Sequence, residues 1–312
     1  MGAGFWILIA VAAVFLLFIL PVLAMSFAIY SVLLIRSKPD KWGRVCSFPE
    51  DEEYVGMYEK GLLWGEKYKD NKTPVNVKSG RFNLAGEYFD FGFDKAVIII
   101  AGRTECCYYS YYFAEPYRDA GYNVLVLDNR AHGLSDGRIN SLGYKEYKDI
   151  IAWSDMLHGK GNKSVVLHGI CIGASTALFT VTAKNCPDHI TAMVSDGMYV
   201  NFYESFKNHM AEKNKPNFPM TYGVMTHIFF ISGANVVTDG PIKRIRKMKK
   251  PILMLQSKED TYSLPELAVK LYDACPSEHK KLVYFDRGAH SRIRINDEEG
   301  YDSTVKEFLK TL

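Results

Sequence analysis

The residues with the clearest chemical potential lie in Val165–Ala177, which reads Val-Val-Leu-His-Gly-Ile-Cys-Ile-Gly-Ala-Ser-Thr-Ala. A β-branched run is followed by small residues that bracket one nucleophilic side chain, and then by helix formers. Gly169-Ile170-Cys171-Ile172-Gly173 matches the nucleophile elbow Gly-x-Nuc-x-Gly, with cysteine where serine usually stands. A strand that passes directly into a helix must turn sharply, which strains the residue at its tip and demands small neighbours. The turn lifts the Cys171 sulfur above the sheet at the positive end of the next helix, where a thiolate is favoured. The competing reading is an inert buried cysteine between a strand and a helix, so the flanking elements carry the decision.

Lys95–Ala101 (Lys-Ala-Val-Ile-Ile-Ile-Ala) reads as a fully buried strand, and Pro74–Lys78 and Arg81–Phe91 as two more. Strands and helices then alternate. The pattern predicts helices at Tyr108–Ala120, Tyr144–His158, Leu264–Ala274 and Tyr301–Leu309. It predicts strands at Asn123–Asp128, Ser164–His168, Ile190–Ser195, Pro251–Gln256 and Lys281–Phe285. Apolar strands separated by helices predict an α/β fold with a mostly parallel sheet covered on both faces. In such sheets ligand chemistry gathers at the carboxyl ends of the strands. Gly102-Arg103-Thr104-Glu105 follows one such end. A loop there would supply one backbone N–H to a developing oxyanion, from Arg103, and Ile172 would supply the other. Cys106 and Cys107, next in the chain, read as packing residues, since adjacent cysteines rarely bridge.

The next strand ends in Asp128-Asn129-Arg130-Ala131-His132-Gly133-Leu134-Ser135-Asp136-Gly137. This segment resembles the Asp-x-Arg-Gly-His-Gly-x-Ser turn of the α/β-hydrolase superfamily, with Ala131 in place of the usual glycine. The preceding Gly-Arg-Thr-Glu resembles the oxyanion loop of the lysophospholipase and monoacylglycerol lipase branch (serine aminopeptidase S33-type). The similarity covers roughly residues 74–312 and implies the α/β-hydrolase fold with a cap insertion. It also implies that His132 is a hydrogen-bonded turn residue. The family order of nucleophile, acid and histidine implies Asp260, in Ser257-Lys258-Glu259-Asp260-Thr261, as the acid, with Glu259 as fallback and Asp196 as an alternative. It implies His290, in Asp286-Arg287-Gly288-Ala289-His290-Ser291, as the base. The other seven histidines read as ordinary. A thiol becomes a strong nucleophile when a base takes its proton, and the base must be held in one tautomer by a carboxylate.

Residues 199–250 show no clean alternation of strand and helix. They are rich in Phe, Tyr, Met and Asn, end in the basic run Lys243–Lys250, and fall where this superfamily inserts a cap. Phe202, Phe206 and Met225 are the expected substrate-binding residues, with Met210, Phe218, Phe229 and Phe230 as further lining candidates; an equal alternative makes most of them the core of the cap. Cysteine at the elbow is a departure from most of the family and suits activated esters, lactones and thioesters. The expected activity is therefore hydrolysis of a carboxylic ester or thioester through a covalent acyl-enzyme. Alternatives are acyl transfer from the same intermediate, or a catalytically inactive binding or scaffold member.

The 312 residues carry a net charge of only +3, which gives no electrostatic reason to expect a nucleic-acid partner, and 20 Tyr and 18 Phe supply area for a core and an apolar pocket. The six cysteines show no zinc-like spacing, and neither a metal nor a cofactor is expected. From Phe5 to Ile35 there is no charged residue, a run longer than the ~20 residues that span a bilayer. The start lacks the basic residue of a signal peptide, so residues 1–36 are expected to be a retained single-pass membrane anchor. Arg36, Lys38, Lys41 and Arg44 follow it, and the positive-inside rule then puts the remainder in the cytoplasm. Residues 37–73 read as a connector whose acidic Pro49–Glu53 run starts a helix through Tyr68, lying either on the domain or on the membrane surface. Residues 74–312 form the expected catalytic domain, acting on a small acyl-ester or lipid-like substrate.

Overall fold

The computed structural model describes residues 2–312. Eight strands form one sheet in the order β1-β2-β4-β3-β5-β6-β7-β8. They are β1 (Lys72–Ser79), β2 (Phe82–Phe89), β3 (Lys95–Ile100), β4 (Asn123–Leu127), β5 (Ser164–Ile170), β6 (Ile190–Asp196), β7 (Ile252–Ser257) and β8 (Lys280–Phe285). β2 pairs antiparallel with β1 and β4, and every pairing from β4 through β8 is parallel. The central strands are buried on both faces, as their unbroken Val, Ile and Leu runs require. Register brings the carboxyl ends level: Ile100 pairs with Gly169, Ile170 with Asp196, and Asp196 with Leu255. The loops that leave these strands therefore meet along one edge.

Two apolar clusters fill the faces of the sheet. One of them includes Trp64, Phe89, Tyr111 and Tyr301. The connector helix Glu52–Lys67 packs on this side. Asp51 caps it by accepting from the Tyr54 N–H at 3.2 Å, and the Trp64 indole donates to Glu115. Gly61 and Gly65 let it approach the Cys107–Tyr112 helix closely, because a Cβ on Gly65 would lie 2.6 Å from the Tyr111 ring. Of the two places the sequence leaves open for this helix, it occupies the domain.

The single helix expected over Tyr108–Ala120 is two, Cys107–Tyr112 and Glu115–Asp119. Pro116 has no N–H for the helix ladder, and its ring would collide with the carbonyl four residues back. The helix expected from Tyr144 begins at Tyr147. The Glu146 carboxylate instead accepts from the N–H groups of Ser141 and Gly143, which holds the preceding turn.

Residues 199–250 hold helices but no strand, with Phe202–Glu212, Met220–His227 and Pro241–Arg244 as the α-helices. They share a third apolar cluster with the apolar N-terminal helix Ala3–Leu34. Of that helix only Ser26, Tyr30 and Leu34 are buried. Gly223 makes the contact possible: a Cβ there would stand 2.6 Å from the Ser26 Cβ.

Candidate active site

β5 ends at Ile170, the next helix starts at Ile172, and Cys171 between them has φ 54° and ψ −112°. Such a conformation is costly for a residue with a side chain and persists only where its surroundings enforce it. The Cys171 N–H donates to the Asp196 carbonyl at 2.8 Å, tying the turn to β6. A Cβ at Gly169 would strike the Gly173 backbone, and one at Gly173 the Ile100 carbonyl. Both glycines are thus required by close backbone approach.

His290 stands in the loop after β8, and its Nδ1 lies 2.7 Å from the Asp260 Oδ2. Asp260 is almost wholly buried, and its other oxygen accepts from the N–H groups of Tyr262 at 2.9 Å and Ser263 at 2.7 Å. Those bonds fix the carboxylate and, through it, the ring. Burial opposes the imidazolium, but Asp260 and then Cys171 outweigh it, so the His290 pKa is held well above its ordinary value. The imidazole thus faces the carboxylate and the sulfur together. Glu259 is exposed and accepts from the Gly288 N–H at 2.9 Å.

Asp196 is fully buried, and its Oδ2 accepts from the Tyr301 hydroxyl at 3.0 Å. That hydroxyl also lies 3.1 Å from His168 Nε2. Burial raises the Asp196 carboxyl to about 7 and lowers His168 to about 3.

The loop Gly102–Glu105 is braced on both sides. Glu105 accepts from the Gly102 N–H at 2.8 Å and from the Tyr54 hydroxyl at 3.2 Å, and burial raises its pKa. His132 is buried, with its ring nitrogens 3.0 Å from the Arg130 carbonyl and 2.6 Å from the Arg103 carbonyl, and it stacks on Trp42. It is a turn residue that steadies the Arg103 loop. Ala131 has φ 69°, the left-handed conformation that explains why glycine is usual at this position.

A cavity of about 370 Å³ opens above Cys171 and His290. Phe202, Phe206, Tyr199 and Tyr262 give it aromatic walls, and Arg103, Glu105, His209 and Arg292 give it polar ones. Met225 does not line it. That side chain is 4% exposed in the cluster of Tyr30, Leu34 and Ile228, because its helix lies against the N-terminal helix and away from the sulfur. Met210 packs on the same cluster, while Phe218, Phe229 and Phe230 face outward.

His209, read from sequence as ordinary, stacks on Tyr262 at 4.8 Å inside the cavity. Leu33, Phe48 and Tyr54, which precede the first strand in the chain, also line it. No sequence signal marked them. Gly197 is a further residue of the site, since at φ 62° a Cβ on it would meet the His290 ring at 3.2 Å. Its only sequence signal is a glycine directly after a strand. Among the described residues no group of three or more His, Cys, Asp or Glu is arranged to hold a metal ion. All six cysteines are free, with the buried Cys106 and Cys107 thiols pushed upward in pKa by desolvation.

An eight-stranded, mostly parallel sheet with a strained strand-to-helix elbow and a helical insertion over its carboxyl edge is the α/β-hydrolase fold. The sequence matches the α/β-hydrolase fold family over residues 95–223. It is 29% identical over 219 residues to an uncharacterized protein of Bacillus subtilis, the match covering 69% of this chain and 71% of that one. It is 24% identical over 196 residues to an uncharacterized membrane protein of Saccharomyces cerevisiae, covering 62% of each. A solved esterase of Pyrococcus furiosus superposes with TM-score 0.67 at 24% identity, covering 79% of this chain and 93% of the esterase. An esterase of Exiguobacterium antarcticum superposes with TM-score 0.58 at 14% identity, covering 76% and 100% respectively.

Proposed function

We propose that the protein is a membrane-anchored hydrolase of carboxylic esters or thioesters, close in type to the lysophospholipase-like branch, with Cys171 as nucleophile. The observation that carries this reading is the His290 ring, bonded to the fixed Asp260 carboxylate at 2.7 Å and facing Cys171 in an aromatic cavity. The proton shared by Cys171 and His290 rests on the imidazole as the sulfur attacks the acyl carbon, and the carbonyl π electrons move to oxygen. The oxyanion is held by the backbone N–H groups of Arg103 and Ile172. Collapse breaks the bond to the leaving alcohol or thiol, which departs with the proton from His290 and leaves an acyl-thioester on Cys171. Water then attacks that carbonyl, giving one proton to His290. Collapse releases the carboxylic acid and returns the proton to the sulfur. Phe202 and Phe206 wall the acyl site. The esterase neighbours are in keeping with this chemistry.

The membrane part of the reading rests on the N-terminal helix. From Ala3 to Met25 it has no buried residue, and about 23 residues at 1.5 Å each give roughly 35 Å, enough for a ~30 Å hydrocarbon core. The basic residues Arg36, Lys38, Lys41 and Arg44 favour a cytoplasmic domain.

Intact-mass analysis after treatment with a slowly turned-over activated ester or thioester tests the mechanism. One adduct is expected, mapped to Cys171 and absent in Cys171→Ala. Labelling that ignores this substitution, or none across a panel of esters and thioesters, would overturn it.

A further inference from the structure

The walls of the cavity carry one cation that its protein surroundings leave unmatched. Arg44, Arg130, Arg292 and Arg294 each meet carboxylates, at Glu87 and Asp128, at Asp149, at Asp51 and Glu53, and at Asp302. Arg103 forms no ion pair among the described residues. Its guanidinium makes a single hydrogen bond there, donating to the Leu33 carbonyl at 3.2 Å. A guanidinium has five N–H donors in a planar fork suited to carboxylate and phosphate oxygens. The Arg103 side chain is half-buried in the wall of the cavity. Glu105, two residues on, makes no ion pair with it; the Glu105 oxygens accept instead from the Gly102 N–H and the Tyr54 hydroxyl.

Arg103 lines the same cavity as Cys171 and the aromatic residues. Its backbone N–H is a proposed oxyanion donor, so its side chain leaves the chain beside the reacting carbonyl. An anion held on it would sit within one arginine length of the scissile bond.

We propose that the cavity contains a subsite for an anionic oxyacid group, a carboxylate or phosphate, carried by the substrate a few bonds from its scissile carbonyl, with the Arg103 guanidinium as counter-ion. The apolar remainder of such a substrate lies along Tyr199, Phe202, Phe206 and Leu33. Esters with an acidic substituent would then be selected over neutral esters of the same length. The substrate class rests on the hydrolase reading, but the subsite is testable without turnover.

The test is calorimetric binding to the full-length Cys171→Ala protein in a nonionic detergent, with hexanoate, hexyl phosphate and hexanol as probes. The carboxylate and phosphate arms separate the two oxyacids. At least one anionic probe is expected to bind about tenfold or more tightly than hexanol, the scale of a charge-assisted hydrogen-bond pair. Adding Arg103→Gln should collapse the ratio of anionic to neutral affinity, and Arg103→Lys should retain part of it. Equal affinity for all three probes in the Cys171→Ala protein overturns the proposal, whatever the variants do. An anionic preference that survives Arg103→Gln also overturns it. Because no ester is cleaved, a failed Cys171 adduct with a positive binding ratio would sink the hydrolase reading and leave the subsite standing.

Discussion

Asp196 offers a quantitative test of the environment behind the elbow. Its carboxyl is fully buried, has one bonded oxygen and one without a partner, and titrates near 7 in the fold against 3.8 in the open chain. Between those values the folded protein keeps a proton that the unfolded chain has released. Raising the pH therefore draws the equilibrium toward unfolding. The stability present below pH 3.8 is lost as pH climbs through 7. At ~1.36 kcal/mol per pH unit the whole interval amounts to about 4 kcal/mol, of which roughly 3 kcal/mol falls between pH 5 and pH 8.

Asp196→Asn removes the titration and keeps the shape. Thermal unfolding of the native and variant proteins, each at pH 5 and pH 8 in the same detergent, isolates the effect, because every other ionisable group is shared. With an unfolding entropy of ~2.1 cal/mol/K per residue, the advantage of the variant should grow by about 5 °C from pH 5 to pH 8. A constant offset between the two proteins would reflect only the altered bond to Tyr301. A Tm difference that is the same at both pH values, or that shrinks as pH rises, would refute the argument.

Other outcomes follow from the packing and the site. Gly173→Ala forces a methyl into the Ile100 carbonyl; we expect a loss of more than about 2 kcal/mol in denaturant unfolding, and a loss below 0.5 kcal/mol would contradict the elbow geometry. Gly223→Ala should lower Tm by crowding Ser26, and Ser26→Gly in the same chain should restore most of it, so failure of the pair to compensate would argue against that helix contact. His290→Ala should reduce kcat/KM for an activated ester by about 10²–10⁴ with the fold intact by circular dichroism, and retention of activity would remove His290 from the mechanism.

The local chemistry of this fold is written where the backbone is most constrained. Gly169 and Gly173 announce the elbow because a side chain at either would strike the backbone where β5 meets its helix. The loops holding Asp260 and His290 follow β7 and β8, whose apolar runs are easily read, and the two side chains lie 2.7 Å apart. The cap was far less legible. Phe202 and Phe206 reach the cavity while Met225 and Phe230 do not, and all four are simply large and apolar in the sequence. Met225 faces away because its Met220–His227 helix docks on the N-terminal helix, with Gly223 against Ser26 some two hundred residues earlier. The break at Pro116 was available from its missing N–H. The contributions of Leu33 and Tyr54 to the cavity were not, because they arise from long-range packing that no local pattern encodes.

The docking of the N-terminal helix has a practical bearing. Cutting the chain just past this helix, a common route to soluble material, would uncover the Val224–Met225–Ile228 face, remove Leu33 from the chamber wall and release the Arg103 guanidinium from its carbonyl. Turnover measured on such a fragment would report a chamber open on one side, and an inhibitor fitted to it would be shaped to a gap that the intact protein does not have.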